Sequence, residues 1–197
     1  MNGFEKRAQE IKERIIATTL EMLKTTGPKR IRIADISQAA GVSQVTIYNY
    51  FGSKEALIRD TVKMFAEKTF RDFEAYMNEK HSFKEKLAHI LVLEKESYTQ
   101  FPPSLFKELL SSDPELASYI DEQYKQHTIP LSLRIFQEGK DSGEISDEVS
   151  AENVLALMHI YMSQYETILE MAQQSGDMEK FFGGMVHMFF YGLCGKP

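Results

Sequence analysis

The chain has 197 residues, 43% of them apolar, and a net charge of −6. That is enough for one large domain, or a small module joined to a larger one, and it excludes wholesale disorder. A single cysteine, Cys194, excludes an intramolecular disulfide and a cysteine-based zinc site, and it fits a cytoplasmic protein.

Sustained period-two alternation is absent, so the chain reads as all-α, with about nine helices and no internal repeat. Residues 5–25 put Ile11, Ile15, Leu20 and Met22 or Leu23 on one side with charges opposite, and Gly27-Pro28 ends that helix. The opening MNGFEKRAQEIKERII is charged and helix-periodic, unlike a signal peptide. A short helix spans about 33–40, and Gly41 suits a stop with positive φ. Ser43 caps a helix over about 44–50, Phe51-Gly52 ends it, and Ser53 caps another from Lys54 to about Asn78. Ser82 and Glu85 form a capping box for a helix reaching about Thr99. Pro102-Pro103 marks a turn before a short helix ending near Leu110. Asp113-Pro114 opens a helix toward Gly139, and Pro130 inside it predicts a kink or break near 126–130. GKDSGEISDE is expected as a loop. Two last helices, about 149–174 and 177–193, meet at Ser175-Gly176. No apolar run reaches the roughly 18 residues of a membrane span, so no membrane partner is expected.

The helix over 33–40, the turn at Gly41-Val42 and the helix over 44–50 make a helix-turn-helix. Ala39 and Ala40 supply small residues for the crossing, and Ile36, Val42, Ile47 and Phe51 can lock the two helices. With Ile47 and Phe51 inward, Gln44, Val45, Tyr48 and Asn49 face out, and Thr46 lies at the edge. Gln and Asn pair with base edges, Thr and Val meet thymine methyls, and tyrosine hydroxyls bond phosphate. Lys54 in the first turn of its helix opposes the helix dipole unless an anion is near, and a phosphate would satisfy both. Charge agrees: residues 1–60 hold ten Lys/Arg against seven Asp/Glu, while residues 61–197 hold thirteen against twenty-two. An ordinary three-helix packing unit with surface tyrosines is the alternative at this point.

Residues 36–57, ISQAAGVSQVTIYNYFGSKEAL, resemble the signature of the tetracycline-repressor (TetR) family, I-A-x-x-A-G-V-S-x-x-T-L-Y-x-Y-F-x-S-K-E-x-L. The likeness is detailed over roughly residues 8–60. It implies a homodimeric transcriptional regulator, usually a repressor released from a palindromic operator in double-stranded DNA by a small-molecule effector. It implies a helix-turn-helix DNA-binding domain over 1–52 and a helical ligand-binding and dimerisation domain over 53–197. Carried onto this chain, Gln44, Val45, Thr46 and Asn49 resemble the base-facing residues. Tyr48, Tyr50 and Lys54 resemble the phosphate contacts, with Ser43 beside them. Two positions depart from the pattern. Arg32 stands where threonine is frequent and is a candidate phosphate clamp. Ala34 stands where some members carry a base-reading arginine.

The resemblance also implies that the last two helices form a four-helix bundle with those of a second subunit. Val154, Leu155, Met158, Tyr161, Met162, Tyr165, Ile168, Leu169 and Met171 exceed a single stripe, and FFGGMVHMFFYGL is apolar almost all round. An effector cavity would be lined by Tyr98, Phe101, Phe106, Tyr124, His127, Phe136, Met158, Met162 and Tyr165, residue types that serve equally as plain core. No cofactor or metal is expected. His81, His89, His127, His159 and His187 form no HExxH pair. Neither a Gly-rich phosphate loop nor Gly-x-Ser-x-Gly is present, so catalysis is not expected. A helical scaffold that binds only protein is the other rival, and specific retention on DNA separates the two.

Overall fold

The computed structural model describes residues 3–86, 89, 101 and 103–191. Among them are ten α-helices and no strand. The chain divides into two compact units, Met1–Asp72 with Ser97–Tyr124, and Phe73–Glu96 with Lys125–Pro197.

In the first unit, α1 (Gly3–Thr26) buries Ile15, Thr19 and Leu23 at the four-residue spacing of a helix face. Thr19 tolerates burial because its hydroxyl donates to the Ile15 carbonyl at 2.8 Å. Ile11, Leu20 and Met22 are only partly buried beside that stripe. Then come α2 (Ile33–Ala40), α3 (Gln44–Phe51) and α4 (Lys54–Met77), whose last turn lies beyond the division at Asp72. The unit is completed by α5 (Pro103–Ser112) and α6 (Pro114–Gln123). One core joins Ile15, Leu23, Ile31, Ile36 and Ile47 to Leu57, Val62, Phe101, Leu109 and Leu116.

Polar contacts run along one side of α4 and α6 in this unit. Arg59 bonds Asp113 at 2.7 Å and also pairs with Glu115. Lys63 meets Glu115 at 3.2 Å and lies over the Tyr119 ring, whose hydroxyl donates to Glu67 at 2.7 Å. Burial, the Glu67 hydrogen bond and the Glu67 charge push the Tyr119 phenol up to about 12. Asp113 does double duty, because its other oxygen accepts from the Leu116 N–H at 3.0 Å as the N-cap of α6. Burial raises the Asp113 carboxyl, but Arg59 and the backbone N–H groups outweigh it and hold it below the usual range. These partners are more than 50 residues apart, so no local pattern announces them.

In the second unit, α7 (Ile129–Asp141) buries Leu131, Ile135, Phe136 and Gly139. It is preceded by a π turn, Tyr124–Thr128, which begins in the first unit and places Pro130 in the first turn of α7. The expected break at 126–130 therefore takes the form of a widened turn, and the proline sits where no intrahelical N–H is needed. The expected loop from Gly139 is corrected, because Gly139 to Asp141 are helical. Gly139 serves packing instead. A Cβ there would lie 2.7 Å from Ile145 Cδ1 and 2.9 Å from the Phe83 ring. The capping box is present, with the Ser82 N–H donating to Glu85 at 2.8 Å and the Glu85 N–H to Ser82 Oγ at 3.2 Å. The Glu144 carboxylate accepts from the Phe83 N–H at 3.1 Å at the same helix start. Most of the helix expected toward Thr99 lies outside the described residues.

The helix expected over 149–174 is two, α8 (Ala151–Ser163) and α9 (Tyr165–Gln174), parted at Gln164 with φ −105° and ψ 12°. Neither glycine nor proline marks the break, so periodicity alone runs through it. The last described helix is α10 (Met178–Tyr191). No helix among the described residues is long and apolar enough to cross a membrane.

Candidate nucleic-acid interface

The turn between α2 and α3 is built from backbone bonds that glycine makes possible. Gly41 has φ 63° and ψ 40°. Its N–H donates to the Gln38 carbonyl at 3.3 Å and that of Val42 to Ser37 at 3.0 Å, the two bonds of a Schellman stop. Ser43 then opens α3 by accepting from the Thr46 N–H at 3.0 Å, and its hydroxyl also bonds the Thr46 hydroxyl at 2.8 Å. Of the two alanines, Ala40 is buried at the crossing and Ala39 is exposed.

This frame fixes the rotation of α3. Ile47 is fully buried and meets Ile36, also fully buried, in the unit's core, with Val42 and Phe51 partly buried against it. The opposite side is open: Val45 is 66% exposed, Tyr48 48%, and Gln44 and Asn49 are exposed beside them. Thr46 and Tyr50 are half-buried. The Tyr50 ring packs edge-on against Phe51 at 6.4 Å, so it faces outward less than Tyr48 does.

Both cations among the expected phosphate contacts have protein partners. Arg32 makes a two-pronged bond to Asp35, both at 2.8 Å, on the exposed first turn of α2. That hydrogen bond raises the arginine and lowers the aspartate. Arg32 stands at the N-cap position without a side-chain cap bond. Lys54, half-buried at the start of α4, donates to the Pro28 carbonyl at 3.4 Å, and Ser53 caps α4 through the Ala56 N–H at 3.0 Å. Ala34 is exposed and carries no polar group.

The residues expected to line an effector cavity fall in both units. Phe101 is buried in the first unit's core, stacked on Phe65 with ring centroids 5.4 Å apart and edge-on to Phe106 at 6.2 Å. Tyr124 is half-buried at the start of the π turn, and His127 in that turn is exposed. Phe136 is buried in the second unit. Tyr98 lies outside the described residues, as do the side chains of Met158, Met162 and Tyr165. Two shallow clefts lie elsewhere, one along Lys6, Arg7 and Glu10 of α1 and one at the 26–30 turn beside Glu108.

The family model described as "Bacterial regulatory proteins, tetR family" matches residues 15–71. The "Fatty acid metabolism regulator protein" of Bacillus subtilis (strain 168) is 27% identical over 191 residues, covering 92% of this chain and 95% of that protein. Among solved structures, FadR of Bacillus subtilis in complex with stearoyl-CoA has a TM-score of 0.67 at 22% identity, covering 92% of this chain and 98% of the other. A regulator from Saccharomonospora viridis in complex with choline has a TM-score of 0.72 at 15% identity, covering 91% and 95%. At these identities the two structures speak for the fold. The match over residues 15–71, which holds the helix-turn-helix, is to the TetR family of bacterial regulators, and over nearly its full length the chain is similar to the Bacillus subtilis regulator.

Proposed function

We propose that this protein is a repressor that binds a palindromic DNA operator as a homodimer and is released by a small-molecule effector. The observation that carries this reading is the two-sidedness of α3, where Ile47 is fully buried while Gln44, Val45, Tyr48 and Asn49 are exposed. Gln44 and Asn49 supply paired donors and acceptors for base edges, and Val45 and Thr46 supply methyls for thymine. Tyr48, Tyr50, Ser43 and Lys54 are the proposed phosphate contacts. Arg32 joins them with Asp35 held against it, which offsets part of its charge. Reading is assigned to residues 1–52, and effector binding and pairing to residues 53–197.

Pairing through α8, α9 and α10 is supported by apolar side chains left in solvent on all three, at Ile160, Met171 and Met188. Two recognition helices about 34 Å apart then read a palindrome that one half-site is too short to define. For the effector we favour a long-chain acyl group. The support is the relative of nearly equal length named for fatty acid metabolism and the apolar character of the lining residues expected from the sequence. A quaternary ammonium ion is the second reading, favoured by the acidic balance of residues 61–197 and the aromatic rings among those positions. No catalytic role is assigned, and a DNA-bound regulator places the protein in the cytoplasm.

Selection of bound sequences from a random duplex pool tests the reading. An enriched inverted repeat is expected, with binding to it lost in a Tyr48→Ala, Lys54→Ala double variant. A pool without an enriched motif sinks it. Stearoyl-CoA and choline, added in turn to the complex with the selected duplex, decide the effector class by which one releases the protein.

A further inference from the structure

On the flank of α3, Lys12 of α1 holds its ammonium 5.4 Å from the centre of the Tyr50 ring. Both side chains are half-buried. Neither the ammonium nor the Tyr50 hydroxyl has a hydrogen-bond or carboxylate partner among the described residues. The nearest acidic neighbour in sequence, Glu13, is taken by Gln9 at 2.9 Å. Two donors without acceptors, one charged and one neutral, thus share one place beside the exposed recognition face. A cation over an aromatic face is also held in position by the ring, which lowers the entropy lost when it takes an anion.

We propose that Lys12 and Tyr50 form one phosphate clamp. The ammonium and the phenol hydroxyl donate to oxygens of a single backbone phosphate, so the DNA-binding surface extends from the helix-turn-helix onto α1. This rests on the reading of α3 as the DNA-facing helix. The clamp fixes register without reading sequence, as phosphate contacts do. It also gives Tyr50, whose ring packs against Phe51, a reason to keep its hydroxyl.

The test needs no operator, because phosphate contacts act on any duplex. Binding of the full chain to a random 30-base-pair duplex is followed by fluorescence anisotropy across a potassium chloride series. Each phosphate contact contributes about 0.9 to the slope of log affinity against log salt. Lys12→Gln should flatten the slope by about that amount, so that raising salt from 50 to 200 mM costs roughly threefold less affinity than in the wild type. Lys12→Arg should restore the slope. Tyr50→Phe, which keeps the ring, should weaken binding at an unchanged slope. Arg14→Gln removes a charge about 200° around α1 from Lys12 and should behave as wild type. An unchanged slope in Lys12→Gln with a lowered melting temperature makes the lysine structural and overturns the clamp, while the wild-type slope upholds the interface. Equal flattening in Lys12→Gln and Arg14→Gln also overturns it, as an effect of overall charge. A wild type whose affinity for duplex is independent of salt overturns the interface itself.

Discussion

In α2 and α3 the apolar residues Ile33, Ile36, Ala40 and Ile47 are buried, and Val45 and Tyr48 are the large apolar side chains on the exposed side. In α8, α9 and α10 apolar side chains stand in water: Ile160 is 57% exposed, Met171 54% and Met188 45%. The two regions differ in what an exposed apolar group is for. On α3 two side chains one turn apart, Val45 and Tyr48, interrupt a polar face, and they are the proposed contacts to a thymine methyl and a phosphate. On the last three helices such groups recur over a stretch of nearly thirty residues, the pattern of a surface that meets protein. Burial is therefore a stability statement in the first region, and exposure in the second bears on the proposed pairing.

The contrast can be broken most forcefully at Ile47. Ile47→Ala should cost about 3 kcal/mol in urea denaturation and take DNA binding with it, because the cavity opens under the recognition helix. Gly139→Ala follows, at about 2 kcal/mol, because the added Cβ must push against Ile145 and Phe83. A thermal melt that does not move would show that those two side chains give way freely. Asp113→Ala should cost about 1–2 kcal/mol by removing a helix cap and the tie to Arg59 together. Its pH dependence has a definite sign. The folded carboxyl titrates below its unfolded value, so its contribution is full above about pH 4 and is lost as the pH falls through the folded value. The variant's acid unfolding curve should be flatter there. The smallest effect on stability belongs to Ile160→Ser, within about 0.5 kcal/mol for the monomer. Light scattering should nevertheless show it shifting the chain from dimer toward monomer. Unchanged assembly would remove α8 from the proposed pairing surface.

The first 60 residues were the most legible because their signals are local. Glycine at a positive φ, serine two or three positions before a free N–H, and an isoleucine every few residues each act within one turn of chain. Gly41, Ser43 and Ser53 stand where that logic puts them, and so, further along the chain, does Asp113. Legibility failed where the cause lay elsewhere in the chain. Gly139 reads as a loop residue but is small because Phe83 and Ile145 pack over it. The parting of α8 and α9 at Gln164 has no sequence marker. Lys54 and Arg32 read as free cations, yet a carbonyl at Pro28 and a carboxylate at Asp35 hold them. Tyr50 reads as a phosphate contact, and its ring is half-buried against Phe51. Thr19 is polar, yet a bond to its own helix lets it lie fully buried.

The shared core of the first unit bears on how such regulators can be recombined. Ile15, Leu23, Ile36 and Ile47 are sealed by Phe101, Leu105, Leu109 and Leu116, which lie about fifty residues or more beyond the recognition helix. A chimera that grafts only residues 1–52 onto another regulator's body leaves that lid behind, and the new body's own residues must fit a surface they never evolved against. Carrying α5 and α6 along keeps the seal intact. Paired grafts with and without residues 101–116, compared by circular dichroism melts, should differ by many degrees, with the longer graft the one that melts cooperatively.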